Sequence, residues 1–487
     1  MKYIFFVTLG VLILASFFTA WLNKKTVSGK PILYWVTDNN PARALQIKNF
    51  ESWMKKNHYP DVEMRVDSAN GDSSKKVIQS VSGVGGDVMD TYAFMGDLMY
   101  FNEIGMVEDV TDDAKKLGFD LSKTYPSLDD DLTVAGRQYL FPCNVSANLY
   151  FVNLGIFKKI GVKPPPMRWN IEEFEKIGKE FSEAANKGLD RRQYFIANGV
   201  EITQLARSFG ADYFNETLTR SRIGSNGYAK ALSLNRKWMY EDHIIPTAAD
   251  IASFSTNSGY GGAMFQLFYN GNYGMVSVGR YALIQFRQFG KMDLDAVEYP
   301  NAGYPNTAIF SRGACVYKGG KNKDLAKYFL AYLASEDYNM NIVEDADALP
   351  PNPKYTFSKE YLQPKDYPNE WTVHKKFAQD AVDISIVYSK SPFVSNSRVF
   401  TYLSDCTQAV LSNVTSPEES ARQCEIKINE EIDRTVAENP KLAEPYAKAV
   451  ETQKKIDEYR KEGKKIPKDW ISNPFHKKYY RDMGWVE

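Results

Sequence analysis

Histidine and cysteine are both scarce in this chain, with four of each among 487 residues. His58, His243, His374 and His476 sit in no metal-ligand spacing and beside no nucleophile signal. HExxH, GxSxG and phosphate-loop patterns are absent, as is any CxxC or Cys/His spacing that would hold zinc. Gly83 to Gly86 lacks the lysine of a phosphate loop, and the run Asp129, Asp130 and Asp131 reads as a solvated turn. A glycosidase would still need only two carboxylates from separate elements. The expectation is nevertheless a protein that is not an enzyme and carries no cofactor or metal. Excess charge of one sign is missing too. Sixty Lys and Arg balance sixty Asp and Glu, so no global field draws nucleic acid.

Long apolar runs are lacking except for one, Tyr3 to Leu22, flanked by Lys2 and by Lys24 and Lys25. It is longer than the core of a secretory signal, roughly 7 to 15 residues, and near the roughly 20 that span a bilayer. Thr19 and Ala20 make a poor cleavage site between Phe18 and Trp21. A signal or signal-anchor over residues 1–25 follows, with the uncleaved anchor favoured and the body exported. Four cysteines in an exported chain invite pairing. Val399, Tyr402, Leu403, Cys406 and Val410 share one helical face, and Ala421, Cys424, Ile428 and Ile432 another, about a turn at Ser412 to Pro417. In the αα-hairpin this implies, Cys406 and Cys424 face inward at one level. A disulfide and two reduced core thiols both fit.

What the chain has is alternation. Ile32 to Val36 reads as a strand, and Asn40 and Pro41 start a helix whose face carries Leu45, Ile47, Phe50, Trp53 and Met54. Val62, Met64 and Val66 alternate as a second strand, a weaker helix covers Lys75 to Val81, and a glycine turn leads into a buried strand ending near Phe94. This βαβα order predicts an α/β fold with a largely parallel sheet and ligands beyond the strands' carboxyl ends. A second α/β region follows Pro166, with helix faces at Phe174, Ile177 and Phe181 and at Tyr228 to Met239, where the spacing makes Trp238 core. Strands are predicted at Met275 to Val278 and Gly313 to Tyr317, a helix at Lys323 to Leu333, and mostly helix beyond Lys354. Between the two regions, Gly136 to Pro166 reads as two extended segments broken at Pro142, a crossing where Asn144, Ser146 and Asn148 suit a hinge beside a cleft.

Aromatic residues make up 14% of the chain, and Tyr is the commonest at 31. Rings stack on the C–H faces of sugars, and planar polar side chains bond their hydroxyls. Residues of those kinds stand at the predicted strand ends: Trp35, Asp38, Asn39, Asp90, Tyr92, Asn144, Arg280, Tyr281 and Arg312. They are the candidate ligand-binding set.

In order along the chain come YWVTDNN, SVSGVGGDVMDTYAF, FNEIGMVEDVT, the crossing GRQYLFPCNVSANLYFVNLGIFKKIGVKPPPMRWNIEEFEKIGKEF, then FYNGNYGMVSVGRY, SRGACVYKGGKNKDLAKYFLAYLAS and SPEESARQCEIKINEEID. From about Pro31 to Ile432 this ordered series resembles the extracellular solute-binding proteins of ABC importers, in the carbohydrate-binding cluster that includes maltose-binding protein. The resemblance implies a type II periplasmic-binding-protein-like fold, with two α/β lobes, hinge strands, a central cleft and a mostly helical C-terminal part. Lobe 1 would hold 30–141 plus 313–352, and lobe 2 would hold 144–311 plus 353–435. Gly136 to Asn144 and Arg312 to Val316 would be two hinge strands, bringing Cys143 near Cys315 as two thiols. The implied function is a monomeric receptor that captures a sugar or oligosaccharide and delivers it to a membrane permease. A glycan-processing enzyme and a solute sensor without transport are the competing classes. Residues 436–487 have no counterpart and read as a solvated helix plus an aromatic segment laid on the body.

Overall fold

The protein is described by a computed structural model covering residues 29–68, 73–93, 97–188, 192–254 and 261–487. The apolar run at Tyr3 to Leu22, and with it the signal or anchor, lies outside the described residues. Among the described residues no helix is long and apolar enough to cross a membrane.

The first half starts as expected. Strands β1 (Ile32–Val36), β2 (Glu63–Asp67) and β3 (Val88–Tyr92) are parallel, with helix α1 (Ala42–Lys56) between the first two. Asn40 caps α1, its Oδ1 accepting from the Ala42 amide at 2.9 Å. The chain then enters β4 (Leu140–Asn153), which is followed by α2 (Ile171–Ala185), β5 (Tyr194–Ile196), α3 (Asn226–Tyr240), β6 (Tyr273–Gly279), β7 (Leu294–Val297) and β8 (Thr307–Val316). Helices α4 (Lys323–Ala334), α5 (Glu336–Asp345) and α6 (Trp371–Ala378) precede the short strand β9 (Ser385–Ile386). The chain closes with α7 (Asn396–Leu411), α8 (Pro417–Glu438), α9 (Pro440–Lys461) and α10 (Pro474–Asp482).

The sheet runs β2-β1-β3-β8-β4-β6-β5, with β9 beside β8 and β7 beside β4. It is mixed, not largely parallel. Pairing is parallel within β1–β3 and between β5 and β6, but β8 runs antiparallel to β3 and β4, and β4 antiparallel to β6. A strand that leaves one half of the molecule and a strand that returns to it point opposite ways, so two such crossings lie antiparallel when they neighbour each other.

Strand β4 carries the organisation. Its first half pairs with β8 from Leu140↔Cys315 to Ala147↔Ile309, and its second half pairs with β6 and β7. Pro142 does not break it into two segments. The ladder slips between Arg312 and Gly313, so Pro142 lies opposite Gly313 at an irregularity, where a missing N–H is tolerated. Every residue of β4 except Asn148 is buried. Elements cover both its faces, and this is why LFPCNVSANLYFVN shows no clean alternation. A third connection passes alongside: Val145 and Leu349 exchange backbone hydrogen bonds of 3.0 and 2.8 Å.

The cores follow this division. One buried cluster gathers Leu33, Trp35, Phe50, Phe141, Cys143 and Phe329, and another gathers Phe174, Phe195, Trp238, Cys406, Cys424 and Ile428. Cys315 belongs to a third cluster. Cys143 and Cys315 are thus on neighbouring strands but face opposite sides of the sheet. Cys406 and Cys424 do meet, across the α7–α8 hairpin, and no disulfide joins any of the four cysteines. Residues 440–487 form α9, on which only Ile456 is buried, and an aromatic segment docked on the body.

Trp238 is fully buried against Phe174, ring centroids 4.6 Å apart, with its indole N–H on Glu175 at 2.9 Å. Trp238→Ala is expected to lower unfolding free energy by about 3–5 kcal/mol in a urea titration.

Candidate functional site

Where the three crossings meet, a buried charge network forms. Asp90, in the middle of β3, is 0% exposed. Its Oδ1 accepts from the Trp35 indole at 2.6 Å, and its Oδ2 accepts from Thr37 at 2.6 Å and from Arg312 at 2.8 Å. Asp347 accepts from Arg43 at 2.6 Å, from Asn144 at 3.0 Å and, more weakly, from Asn40 and Gln46 at 3.4 Å. Asp38 accepts from Arg43 Nε at 2.8 Å and stands 3.7 Å from Arg312. Burial would raise the Asp38 pKa, but Arg312 and Arg43 outweigh it and hold the carboxyl well below the usual range. Lys76, also buried, donates to the Asp90 carbonyl at 3.0 Å. Three carboxylates therefore meet two guanidiniums, with Lys76 on the Asp90 backbone, in a space that is buried except at Asp38.

Two backbone details fix Asp347. Ala346 and Ala348 on either side of it have φ of 61° and 64°, a left-handed conformation that costs an alanine roughly 1–2 kcal/mol. The contacts made by Asp347 and the Val145–Leu349 pair hold this strained turn in place.

A second wall lies beyond the carboxyl end of β5 and around β6. Glu201, just before the short helix Ile202–Ser208, has a buried Oε2 with no hydrogen-bond partner, and burial pushes its pKa up. Asn148 Oδ1 and Tyr150 Oη are likewise buried without partners. Tyr299 shares a 2.5 Å hydrogen bond with Ser277 and packs edge-on to Tyr150 at 5.0 Å. Half-buried Tyr388 sits between Phe310 and Phe400, at 6.1 and 5.9 Å, with Gln204 beside its hydroxyl. Behind this wall a cavity of about 340 Å³ lies between α3 and α7, sharing Glu201 and Phe400 with it and otherwise lined by residues such as Tyr228, Asn235, Leu403 and Thr407. Aromatic faces alternate with unsatisfied acceptors, an arrangement suited to a polyhydroxylated solute.

The family described as bacterial extracellular solute-binding proteins matches residues 37–340, more than half of the chain. The chain belongs to this family. Its members are binding proteins, and the fold is the type II periplasmic-binding-protein fold. Among solved structures, an ABC substrate-binding protein from Listeria monocytogenes in complex with cycloalternan superposes with a TM-score of 0.69 at 21% identity, covering 82% of this chain and 98% of its own. Maltose-bound MalE3 of T. maritima gives 0.67 at 17% identity, with 82% and 98% covered. UgpB of Mycobacterium tuberculosis in complex with glycerophosphocholine gives 0.65 at 14%, with 84% and 100% covered. A curated relative from Brucella abortus (strain 2308), named only as a binding protein, is 22% identical over 220 residues, 45% of this chain. The chain spans about half the length (51%) of that relative.

In this solute-binding protein, five of the nine candidate residues join the buried network: Trp35, Asp38, Asp90, Asn144 and Arg312. Trp35 is 0% exposed and lies against Phe329 at 4.9 Å, so its ring offers no face to a solute. Asn39 is exposed just past β1, and Tyr92 is half-buried opposite Arg312 in the β3–β8 register. Tyr281, half-buried, folds back over Gly279, where an added Cβ would lie 3.0 Å from its ring. Arg280 requires correction as a ligand contact. It is 1% exposed and donates to the carbonyls of Ile342, Val343 and Ala348, with its guanidinium 4.1 Å from the Tyr361 ring centre. It terminates α5 and supports the Asp347 turn. Reading by strand ends missed Arg43 and Asp347, and on the second wall Glu201, Tyr299, Tyr388 and Phe400. Only the YPN turn after Tyr299 and the aromatic Val387–Phe400 stretch gave a local signal.

His374 completes the Arg280 clamp. Arg280 Nε donates to His374 Nδ1 at 3.0 Å, and His374 Nε2 lies 3.2 Å from Glu370. Nδ1 must therefore stay unprotonated. Burial, then the nearby Arg280 charge, lowers the His374 pKa to about 4, and burial lowers that of His476 to about 4. Both folded values lie below the unfolded value of about 6.5, so the unfolded chain takes up protons first as pH falls. Stability is whole above about pH 6.5 and declines towards pH 4, each histidine removing up to roughly 3 kcal/mol. Thermal melts across this range should show the decline, and His374→Gln should flatten part of it.

Proposed function

We propose that the protein is an extracytoplasmic receptor that captures a neutral sugar or oligosaccharide between its two lobes and passes it to an ABC permease. The observation that carries this reading is the second wall, where Tyr299, Tyr388 and Phe400 stand among buried, unpaired acceptors on Asn148 and Glu201. Hydroxyl donors satisfy such acceptors, and C–H faces cover such rings. The guanidiniums nearest the site, Arg43, Arg207, Arg280 and Arg312, are engaged by carboxylates or carbonyls. Each already holds a carboxylate or a carbonyl, with only Arg207 Nη1 and Arg312 Nη2 buried without a hydrogen-bond partner, which favours the cycloalternan and maltose of two neighbours over the phosphodiester of the third. The lobes are 30–141 plus 313–352 and 144–311 plus 353–435, joined by β4, β8 and the Ala346–Leu349 segment. Asn39, Tyr92 and Tyr281 stand at the ligand, while Asp38, Asp90, Asn144 and Arg312 shape the floor. The protein works by binding alone, as a monomer held at the membrane by its N-terminal segment.

Calorimetry with maltotriose, mannitol and glycerophosphocholine tests the solute class. Binding of a neutral glycan is expected, with Tyr281→Ala or Glu201→Gln weakening it roughly tenfold to a hundredfold. Binding of the phosphodiester alone, or steady cleavage of a glycan, overturns the reading. Cys406 and Cys424 meet as free thiols in this structure, and we infer that oxidation after export joins them. Intact-mass measurement before and after reduction should then differ by two hydrogens, and Cys424→Ser should abolish the difference.

A further inference from the structure

The segment Val387–Ser391 leaves the short strand β9 and carries two residues that face inward. Tyr388 stands among Phe310, Phe400 and Gln204. Lys390 forms an ion pair with Asp131, which is 2% exposed and also approaches the Ser311 amide of β8 at 3.4 Å. Little regular structure supports this segment. β9 is only two residues long, pairing Ser385 and Ile386 with Thr307 and Ala308 of β8.

Its support comes instead from one buried node. Arg207, 0% exposed, donates to the Val387 carbonyl and to Ser389 Oγ, each at 3.2 Å, and its Nε donates to Asp212 at 2.9 Å. Tyr213 Oη donates to the Ser389 carbonyl at 2.7 Å. The node is closed by the C-terminal tail. Asn473, 0% exposed, accepts from Ser389 Oγ at 3.0 Å and donates to Asp212 at 2.9 Å and to the Phe214 carbonyl at 3.1 Å. Phe475 lies 5.3 Å from the Arg207 guanidinium, and its ring clusters with Tyr304 and Ile386. Elsewhere the tail is attached through Glu216, which accepts from Tyr480 at 2.6 Å and Gln453 at 2.8 Å, and through Tyr304, which donates to Asp482 at 2.9 Å.

We propose that the C-terminal tail is a positioning element for the ligand site: through Asn473 and Phe475 it locks the Val387–Ser391 segment and so sets where Tyr388 and Lys390 stand. An ordinary accessory helix would need only its own apolar face covered, and Ile456, Ile466, Ile471 and Tyr480 already do that. Asn473 adds something that packing does not require. Its amide spends acceptor and donors on two separate stretches of chain, Asp212–Phe214 and the segment holding Ser389, and the second of these leads into the site. A buried amide bonded this way fixes geometry, because any shift of the segment leaves a desolvated group unpaired.

The inference rests on the sugar-receptor reading only for its effect on affinity, and the test separates the two. Hydrogen exchange is measured on full-length wild type, Asn473→Ala and Tyr304→Phe; the last removes a tail contact that does not reach the segment. Maltotriose affinity is measured on the same samples. Asn473→Ala is expected to speed exchange of amides 387–391 roughly tenfold and to weaken maltotriose binding by a similar factor, while Tyr304→Phe changes neither. Unchanged exchange at 387–391 in Asn473→Ala overturns the proposal, as does equal loosening in Tyr304→Phe. If exchange rises in Asn473→Ala alone but no variant binds maltotriose, the lock stands and the sugar reading falls. Should Asn473→Ala fail to fold, Ser389→Ala removes the same bond from the other side, and unchanged exchange there is equally fatal.

Discussion

The charge network of Asp38, Asp90 and Asp347 with Arg43, Arg312 and Lys76 is the constraint on which the rest of the structure depends. It sits where β4, β8 and the Ala346–Leu349 segment pass from one half of the protein to the other, and each of these elements supplies a member or a direct partner. Buried charges add little net stability, since desolvation offsets most of their attraction. Removing one partner strands the others, at about 3–5 kcal/mol. Such a network therefore selects an arrangement more than it strengthens one. It accepts only the register in which Arg312 lies opposite Asn144 and Tyr92, and it tolerates two left-handed alanines to keep Asp347 in place.

A protein that closes on a solute needs a stiff floor and walls whose separation can change. Backbone pairing through β4, with Arg280 and His374 tying α5 to the third crossing, provides the floor. The walls are built differently from each other. On the first-half side the three carboxylates are satisfied by Arg43, Arg312, Trp35, Thr37 and Asn144, with Thr91 Oγ1 and Arg312 Nη2 left without partners, so this side chiefly shapes the surface. On the β5–β6 side several acceptors are unsatisfied, and Tyr388 and Phe400 are only half covered while Tyr150 and Tyr299 are buried behind them. Under the proposed sugar-receptor function, the second wall is where a solute would recover hydrogen bonds on binding, and the geometry of Val387–Ser391 matters accordingly.

The sequence made much of the fold legible. Alternation at Val62 to Val66, the Asn40–Pro41 start, the Phe174 and Trp238 faces and the α7–α8 hairpin all follow from local periodicity and capping, which depend on neighbours within a few residues. Reading failed where both faces of an element are covered. Strand β4 has no alternation to betray its length, and Pro142 looked like a break because the bulge that accommodates it belongs to the pairing with β8. At the site, Asp90, Asn144 and Arg312 were found because the sequence suggested strand ends there, although each lies within its strand. Arg280 was found for the same reason and turned out to serve the backbone, because a strand end points inward as readily as outward.

The sequence by itself carried the ordered segments that resemble solute-binding proteins, the α/β alternation, the extended stretch around Pro142 and the tail as a separate aromatic-bearing segment. These are written in composition, in order along the chain and in short-range periodicity. Only the tertiary structure decided which polar residues spend their hydrogen bonds on each other and which keep them for a ligand. Asp347 meets Arg43 across 304 positions and Asn473 meets Ser389 across 84, separations over which no local pattern survives. Whether a buried polar atom is paired is a property of the packed interior, and it is this property that distinguishes the floor of the site from the wall that binds.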